Sequence, residues 1–279
     1  MLSYTITSEA GGVGKTTLAA TLAHAHTHHG HNVLVIDLDP QQASLTYLLD
    51  IPAPRNDADA DNIARHLIDK PQGSFEDLIH ETTYGFDVVP SHSMLESLPS
   101  LLTKAETIAD DIGEEFEPKF RLRRVLKQAD ITNQYDTLII DPSPKAGPGL
   151  YNAVAATGSI VVPIEPTEKG VEAVDGLRDI VSNLSDALNL DVGVLAIVPI
   201  GVGRTGRHDE CVERIRQLGY NVPVEIRERS SLFEGCWKKQ CTAFRYYAYH
   251  RDSQREYEAK TLDRLRELAN SIEEVGEDA

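Results

Sequence analysis

A glycine-rich segment near the N-terminus has the residue types and spacing to bind phosphate. GGVGKTT follows an apolar run that predicts a strand and opens a run that predicts a helix. The backbone N–H groups of such a loop converge with the helix N-terminus on one point, where phosphate oxygens bind. Lys15 would reach the β- and γ-phosphates of a nucleotide and the Thr16 hydroxyl would bind Mg²⁺, whereas a glycine turn without a ligand is the alternative. The predicted contacts are Gly11, Gly12, Val13, Gly14, Lys15, Thr16 and Thr17.

Carboxylates end two further predicted strands. VLVIDLDP places Asp37 and Asp39 at the end of the second strand, and YDTLIIDP places Asp141 at the end of the fourth. Ligands of open α/β sheets bind in the crevice outside the carboxyl ends of the strands, so we expect these side chains to face that crevice. The alternative interpretation of Asp37 and Asp39 is a pair of exposed turn residues before a proline.

Apolar runs alternate with helical segments, which predicts a doubly wound, mostly parallel α/β sheet with helices on both faces, in one domain over residues 1–279. Several runs are apolar throughout, as expected for strands that are covered on both faces. The predicted strands are residues 2–7, 33–37, 85–90, 136–141, 159–164, 192–199 and 221–226. The predicted helices are residues 15–29, a segment inside 117–128, 170–188, 209–218 and 254–274. IPAPRNDADADN and IADDIGEEFEP predict surface loops.

Taken together, the three motifs resemble those of the ParA/MinD family of Walker ATPases. The general P-loop pattern requires a glycine where this chain has Glu9, but the paired glycines of GGVGKTT are similar to the family's deviant form. VLVIDLDPQQASLTYLL resembles the family's second-strand motif. YDTLIIDPSPKAGPGLYNAVAAT resembles its Walker B strand and switch loop, with Asn152 and Ala153 in the place of the usual Asn-Ala pair. The resemblance extends, more loosely, over residues 2–270.

This resemblance implies a P-loop NTPase that binds ATP and Mg²⁺, dimerises around two nucleotides and hydrolyses ATP slowly. Asp39 would position the attacking water, and Asp37 would support the shell of the metal ion. The implied residues are, for catalysis, Lys15, Asp39 and Lys145; for Mg²⁺, Thr16, Asp37 and Asp141; and for the nucleotide, in addition to residues 11–17, Pro199 and Ile226.

One position departs from the family pattern. The family normally has a lysine just before the glycine pair, which reaches the partner's phosphates in the dimer, and this chain has Ala10 there. A subgroup that positions carboxysomes is similar, with a lysine in the switch loop instead. We therefore predict that Lys145 makes the contact in trans, the alternative being an exposed loop lysine. The departure also leaves open a non-hydrolysing, ATP-dependent binding switch with a protein partner and no DNA role.

Charge is distributed unevenly along this acidic chain. Its 279 residues include 27 Lys and Arg against 44 Asp and Glu, a net charge of −17 that weighs against generic nucleic-acid binding. Such acidity suits concentrated salt, which screens carboxylate repulsion, and a halophilic source is our hypothesis. Basic and aromatic residues nevertheless concentrate after the sixth and seventh predicted strands, where the alternative to DNA contact is a solvated face over core aromatics. The predicted DNA contacts are Arg204, Arg207, Arg227, Arg229, Lys238, Lys239 and Arg245.

The resemblance also implies a spatial task, either segregating plasmid or chromosomal DNA or spacing a cargo on the nucleoid. A ParB-like protein or a small adaptor would activate the homodimer. The C-terminal segment LRELANSIEEVGEDA is acidic where a membrane anchor would carry Lys and Arg, which disfavours membrane attachment. With no signal peptide or membrane span visible, we expect a cytoplasmic, nucleoid-associated protein.

The run HAHTHHGH, residues 24–31, raises the question of a metal site, because His24 and His28 are four residues apart on a predicted helix. Further ligands are not evident from the sequence. We interpret these histidines as exposed positions at the end of the first helix, with Gly30 as its cap, and a metal site is the alternative.

Overall fold

The computed structural model describes residues 1–8, 11–42, 44–203 and 205–277. The strands are β1 Leu2–Ile6, β2 Val33–Leu38, β3 His80–Glu81, β4 Asp87–Val89, β5 Thr137–Pro142, β6 Ser159–Ile164, β7 Gly193–Val202 and β8 Ile226–Arg227. They form one sheet in the order β3-β4-β2-β5-β1-β6-β7-β8, in which β3 and β4 are antiparallel and the other neighbours are parallel. This confirms the predicted doubly wound, mostly parallel sheet.

Helices cover both faces of the sheet. The helices of the described residues are α1 Lys15–His28, α2 Leu45–Leu48, α3 Ile63–Leu67, α4 Leu98–Ile112, α5 Arg121–Gln128, α6 Ile131–Gln134, α7 Pro148–Thr157, α8 Glu168–Asp175, α9 Leu177–Leu188, α10 Gly206–Gln217, α11 Ser230–Lys239, α12 Ala243–Tyr249 and α13 Glu256–Glu277. Successive residues of β2 alternate between two cores. Val33 and Val35 belong to the core that includes residues of α1, α11 and α13, whereas Leu34 and Ile36 belong to the core that includes residues of α4 and α5.

Several predicted elements differ from the structure, and the helix predicted over residues 170–188 is divided at Gly176 into α8 and α9. The strand predicted over residues 221–226 is reduced to Ile226–Arg227, at the edge of the sheet. Pro223 explains the loss, because it has no N–H to donate to a neighbouring strand. The segment IADDI, predicted as part of a surface loop, instead forms the last turns of α4. That helix buries Leu98, Leu102 and Ala109 and ends at Gly113, whose φ of 75° suits glycine.

The long C-terminal helix α13 packs against the first helix. Its apolar residues Leu262, Leu265, Leu268 and Ile272 are buried in the core that also contains residues of α1 and β1. Within the described ranges, no helix is both long enough and apolar enough to cross a membrane.

Candidate nucleotide-binding site

The phosphate loop lies between the end of β1 and the start of α1, as predicted. Gly12 and Gly14 have φ values of 82° and 95°, the left-handed region in which a side chain would strain the backbone. A Cβ atom built on Gly11, Gly12 or Gly14 would meet no heavy atom of the described residues within 4 Å. The loop therefore borders open space at the N-terminus of α1, which suits a phosphate group.

Lys15, the first residue of α1, places a buried ammonium beside this space. The residue is 7% exposed, and its Nζ donates a hydrogen bond of 3.2 Å to the Ser8 Oγ. Burial lowers the pKa of Lys15, and the nearby Asp141 and Asp39 carboxylates oppose that shift. A cation that is already removed from water interacts strongly with an arriving phosphate, because solvent screens it little.

Asp141, at the carboxyl end of β5, offers an oxygen that fits a metal ion. The residue is 1% exposed, and its Oδ2 has no hydrogen-bond partner among the residues that the structure describes. Burial raises the pKa of Asp141 well above the ordinary value, and the neighbouring Asp37 raises it further, while a hydrogen bond with Thr16 acts in the opposite direction. A buried carboxylate beside a hydroxyl is the hard oxygen donor set that Mg²⁺ prefers.

Asp37 lies directly opposite Asp141 in the register of β2 and β5. It is fully buried, and both of its carboxylate oxygens accept hydrogen bonds. Oδ2 accepts from the Thr46 N–H at 2.8 Å and the Thr46 hydroxyl at 2.6 Å, and Oδ1 accepts from the Asp39 N–H at 3.0 Å. Burial raises the pKa of Asp37, and the hydrogen bonds from Thr46 counteract it. The contrast with Asp141 favours Asp37 as a support for the metal shell rather than a direct ligand.

Asp39 follows β2 at the edge of the same crevice. The residue is 8% exposed, its Oδ1 accepts a hydrogen bond of 3.0 Å from the Gln41 N–H, and its carbonyl oxygen accepts one from the Ser91 hydroxyl. These contacts hold the turn after β2. The carboxylate lies near enough to the Lys15 ammonium to raise its pKa, so the structure brings Lys15, Asp39 and Asp141 together.

Beside the phosphate loop lies a cavity of about 300 Å³, a size within the usual range for small-ligand sites. Of the two further residues predicted to contact the nucleotide, Ile226 lines this cavity, whereas Ile200 and not Pro199 lines it from β7. Two aromatic residues of α11, Phe233 and Trp237, form another wall. This arrangement suits a nucleoside whose phosphates lie at the loop.

Phe233 and Trp237 belong to the aromatic residues that the sequence analysis assigns to the DNA patch, whereas the structure places both beside the phosphate loop. The indole Nε1 of Trp237 donates a hydrogen bond of 3.0 Å to the Thr17 Oγ1, and its ring stacks near Tyr47 at 6.3 Å between centroids. Phe233 and Trp237 are four residues apart in the sequence. This spacing indicates that their rings lie on the same face of a helix.

Lys145 lies in the loop between β5 and α7, and its side chain is exposed. The end of that loop is fixed by the buried Asn152 of α7. The Nδ2 of Asn152 donates to the carbonyl oxygens of Pro118 at 2.8 Å and Pro148 at 2.9 Å, and its Oδ1 accepts from the Leu122 N–H at 3.0 Å. Ala10 and Glu9 lie outside the described residues.

The predicted DNA-contacting residues fall into two groups. Arg227 and Arg229 precede α11, whereas Lys238, Lys239 and Arg245 lie at or beyond its end, and ten helical residues span about 15 Å. Arg207 is exposed at the start of α10, and Arg204 lies outside the described residues.

Two arginines of the first group already have partners within the protein. Arg227 pairs with Glu225 at 2.7 Å, and Arg229 donates a hydrogen bond to the Thr261 hydroxyl and stacks on Tyr257. The exposed lysines of the second group, Lys238 and Lys239, are therefore the better candidates for phosphate contact.

Comparisons with known proteins agree with this geometry. The profile of a protein family described as an AAA domain matches residues 3–194. The chain is 31% identical over 202 residues to the chromosome-partitioning ATPase Soj of Thermus thermophilus, covering 72% of this chain and 70% of that protein. It is 25% identical over 233 residues to the maintenance of carboxysome distribution protein A of Synechococcus elongatus, covering 80% of this chain and 84% of that protein.

A solved structure shares the fold. The apo form of McdA from Cyanothece superposes with a TM-score of 0.75 at 18% sequence identity, and the match covers 99% of each chain. At this level of identity the similarity concerns the architecture alone.

Proposed function

The chain belongs to the ParA/MinD-like family of P-loop ATPases, and from this premise we propose that it is an ATP-dependent positioning switch. ATP and Mg²⁺ are its cofactors. In this proposal the protein dimerises when it binds ATP, hydrolyses it slowly, and releases the dimer after hydrolysis. The named relatives Soj and carboxysome distribution protein A support a task of this spatial kind.

One observation carries the proposal: a glycine cradle, a buried ammonium and a buried carboxylate oxygen, which has no hydrogen-bond partner in the described part of the chain, converge at one crevice. Lys15 would bind the β- and γ-phosphates, and Thr16 and Asp141 would hold Mg²⁺, with Asp37 fixing the geometry behind them. When bound, Mg²⁺ neutralises charge on the phosphate oxygens. Asp39, at the rim, would orient the attacking water. The cavity beside Phe233 and Trp237 would take the nucleoside.

The dimer would complete the site through the switch loop. Hydrolysis would free a loop that the γ-phosphate and its metal hold in place, a common mechanism of nucleotide switches. The exposed position of Lys145 leaves its ammonium available to a second subunit, which supports the predicted contact in trans. The absence of the family's usual lysine from the sequence, where Ala10 stands, favours a second candidate function, a binding switch that does not hydrolyse ATP.

We expect the Lys145→Ala variant to lose ATP-dependent dimerisation and to hydrolyse ATP at least about tenfold more slowly than wild type, because a trans cation stabilises charge in the transition state. Light scattering with and without ATP, together with phosphate release, measures both effects. Lys127→Ala removes another exposed lysine, at the end of α5, and should leave both unchanged.

The outcomes separate the two candidate functions. Persistent dimerisation and turnover in Lys145→Ala would refute the trans role. A wild-type protein that dimerises on ATP without measurable phosphate release would instead favour the non-hydrolysing switch.

The proposed cargo is plasmid or chromosomal DNA, or a protein assembly spaced over the nucleoid. A ParB-like protein or a small adaptor would stimulate hydrolysis. We propose nonspecific DNA contacts by the exposed Lys238 and Lys239 of α11, with Arg207 and Arg245 as further contacts and a dimer doubling the surface.

For DNA, we expect the Lys238→Ala/Lys239→Ala double variant to bind nonspecific duplex more weakly in the presence of ATP. The slope of log affinity against log salt should fall in magnitude by about 2 per protomer, since each phosphate contact contributes about 0.9. Fluorescence anisotropy from dilute buffer to molar KCl would measure the slope and would also show whether contact survives at high salt.

The matched control is Lys104→Ala/Lys127→Ala, two exposed lysines on α4 and α5. Those helices pack on the other face of the sheet from α11. An equal loss in both double variants would mean that net charge, and not this surface, governs binding.

A further inference from the structure

The C-terminal end of α1 and the later turns of α13 bring together a second group of chemically active side chains. His26 and His29 come from the end of α1, and Glu273 comes from α13. The Nδ1 of His26 lies 2.5 Å from the Glu273 Oε1, and the Nδ1 of His29 lies 2.9 Å from the same oxygen. One donor atom from each residue lies within 4.8 Å of the other two. The group is about 16 Å along α1 from Lys15 and is separate from the nucleotide site.

Burial and the shared hydrogen bonds shift the pKa values of His26 and Glu273. Burial lowers the pKa of His26, although its hydrogen bond with Glu273 opposes that shift. Burial would raise the pKa of Glu273, but the hydrogen bonds with His26 and His29 outweigh it and lower the pKa to about 2.

Neighbouring residues hold the His26 ring in a fixed orientation. Its Nε2 lies 2.9 Å from the Tyr4 hydroxyl, which can donate or accept a hydrogen bond and therefore suits either tautomer of the ring. The His31 ring stacks on it with centroids 5.8 Å apart, and the His31 Nδ1 is itself hydrogen-bonded to the Thr137 hydroxyl at 2.7 Å. A second hydrogen-bonding partner of this kind is typical of metal-binding histidines, because it fixes the direction of the ligating nitrogen.

The cluster is buried on one side and open on the other. The His26 side chain has no exposed surface, whereas the side chains of His29 and Glu273 are 21% and 16% exposed. An ion can therefore enter from the surface and keep a water molecule as a fourth ligand. Two imidazoles, one carboxylate and one water form the tetrahedral set of zinc sites with three protein ligands. Imidazole donors select zinc and its neighbours in the first row over Mg²⁺ or Ca²⁺.

We propose that His26, His29 and Glu273 bind a late first-row divalent metal ion, with Zn²⁺ as the probe. Coordination moves the Nδ1 proton of each histidine to its own Nε2, and the Nε2 of His26 then donates a hydrogen bond to the Tyr4 oxygen. Metal bonds of about 2.0–2.2 Å require the Glu273 oxygen to draw back from the His26 Nδ1 by less than about 1 Å. The ion would then join α13 to α1, the helix that begins at the phosphate loop.

The histidine pair singled out by sequence spacing is different. The Nδ1 of His24 is hydrogen-bonded to the Thr242 hydroxyl at 2.6 Å, and its ring packs edge-on against Phe244. His24 is half-buried and His26 is fully buried, so the expectation that the histidines of this run are exposed is wrong for both. Burial and nearby cations lower the pKa of His24 to about 4. His28 is exposed beside it. Gly30 has a φ of 89° just after the end of α1, as expected of a helix-capping glycine.

The test is Zn²⁺ titration by calorimetry on the full chain without a histidine tag, with excess Mg²⁺ to occupy the nucleotide site. We expect one Zn²⁺ per chain, and at least about tenfold weaker binding by His29→Ala and by Glu273→Gln. Both positions are partly exposed, so these variants should fold. His28→Ala, which removes a neighbouring surface histidine, should bind as wild type does.

Two further measurements on the wild-type protein do not depend on any variant. Co²⁺ should give the intense visible absorption of a tetrahedral site, and Zn²⁺ at a hundredfold excess over Kd should raise the unfolding temperature by about 5 °C. Three results would contradict a metal site: no Zn²⁺ binding, a pale octahedral Co²⁺ spectrum, or wild-type affinity in both His29→Ala and Glu273→Gln. Each would mean that these three side chains form hydrogen bonds only. Any of these results would overturn the proposal and leave the ATPase proposal untouched.

Discussion

We expect the Lys15→Ala variant to hydrolyse ATP with a kcat/KM at least about 100-fold below that of wild type. Lys15 is buried beside the open phosphate loop, so its ammonium acts through a poorly screened environment on charge that develops at the phosphates. Removing one such preorganised donor typically costs about 100- to 1,000-fold in rate. Phosphate release at saturating and subsaturating ATP measures the effect.

Binding can be followed separately in the same variant through Trp237, the only tryptophan of the chain. Because its indole lines the cavity and contacts the Thr17 hydroxyl, nucleotide binding should change its emission. Lys15→Arg keeps the positive charge but changes the shape of the donor, and should also be impaired. If Lys15→Ala kept more than half of the wild-type turnover, the assignment of this crevice as the ATP site would be wrong.

The Asp141→Asn substitution should change both the stability of the protein and the dependence of ATP binding on Mg²⁺. Above the raised pKa of Asp141, the protein without nucleotide should become more stable by about 1–3 kcal/mol, because an ionised carboxylate whose Oδ2 finds no partner among the described residues is replaced by a neutral amide. Binding of ATP should lose most of its dependence on Mg²⁺, because the variant lacks the anionic oxygen that the metal requires. Urea unfolding and Trp237 emission with and without Mg²⁺ measure the two effects.

The stability difference should depend on pH in a defined direction. The pKa of Asp141 is raised in the folded protein, so between its ordinary value and that raised value the folded state holds a proton that the unfolded state has released. Stability contributed by this group therefore falls as pH rises through that window. The advantage of Asp141→Asn should be largest above the window and should shrink as the pH approaches about 4.

Asp37→Asn is the matched comparison for Asp141→Asn. Both oxygens of Asp37 accept hydrogen bonds, so an amide would turn an N–H₂ group towards either the Asp39 N–H or the donors of Thr46. We expect this variant to lose stability although Asp37 is also fully buried. A destabilised Asp141→Asn protein, or an unchanged response to Mg²⁺, would contradict the assignment of Asp141 to the metal.

Much of the fold could be predicted because most of the strands are visible in the sequence as short apolar runs. The strand over residues 159–164 was predicted with its observed bounds, and β1, β2 and β5 agree within one residue at each end. Extended apolar runs bounded by turns are local features. The errors in strand length occur where pairing with a neighbouring strand sets the length. The short strand β8 is an example, because Ile226 pairs with Ile200 near the end of β7.

The sequence by itself determined the chemistry of the phosphate loop, because a strand, a glycine turn and a helix N-terminus within 17 residues converge on phosphate whatever surrounds them. Only the tertiary structure decided that the buried Oδ2 of Asp141 has no partner among the described residues and which aromatic residues reach the cavity. It also decided which histidines meet an acid, since Glu273 lies 247 residues beyond His26. Contacts across such separations depend on how α1 and α13 pack, and the spacing of residues within either helix carries no information about the other.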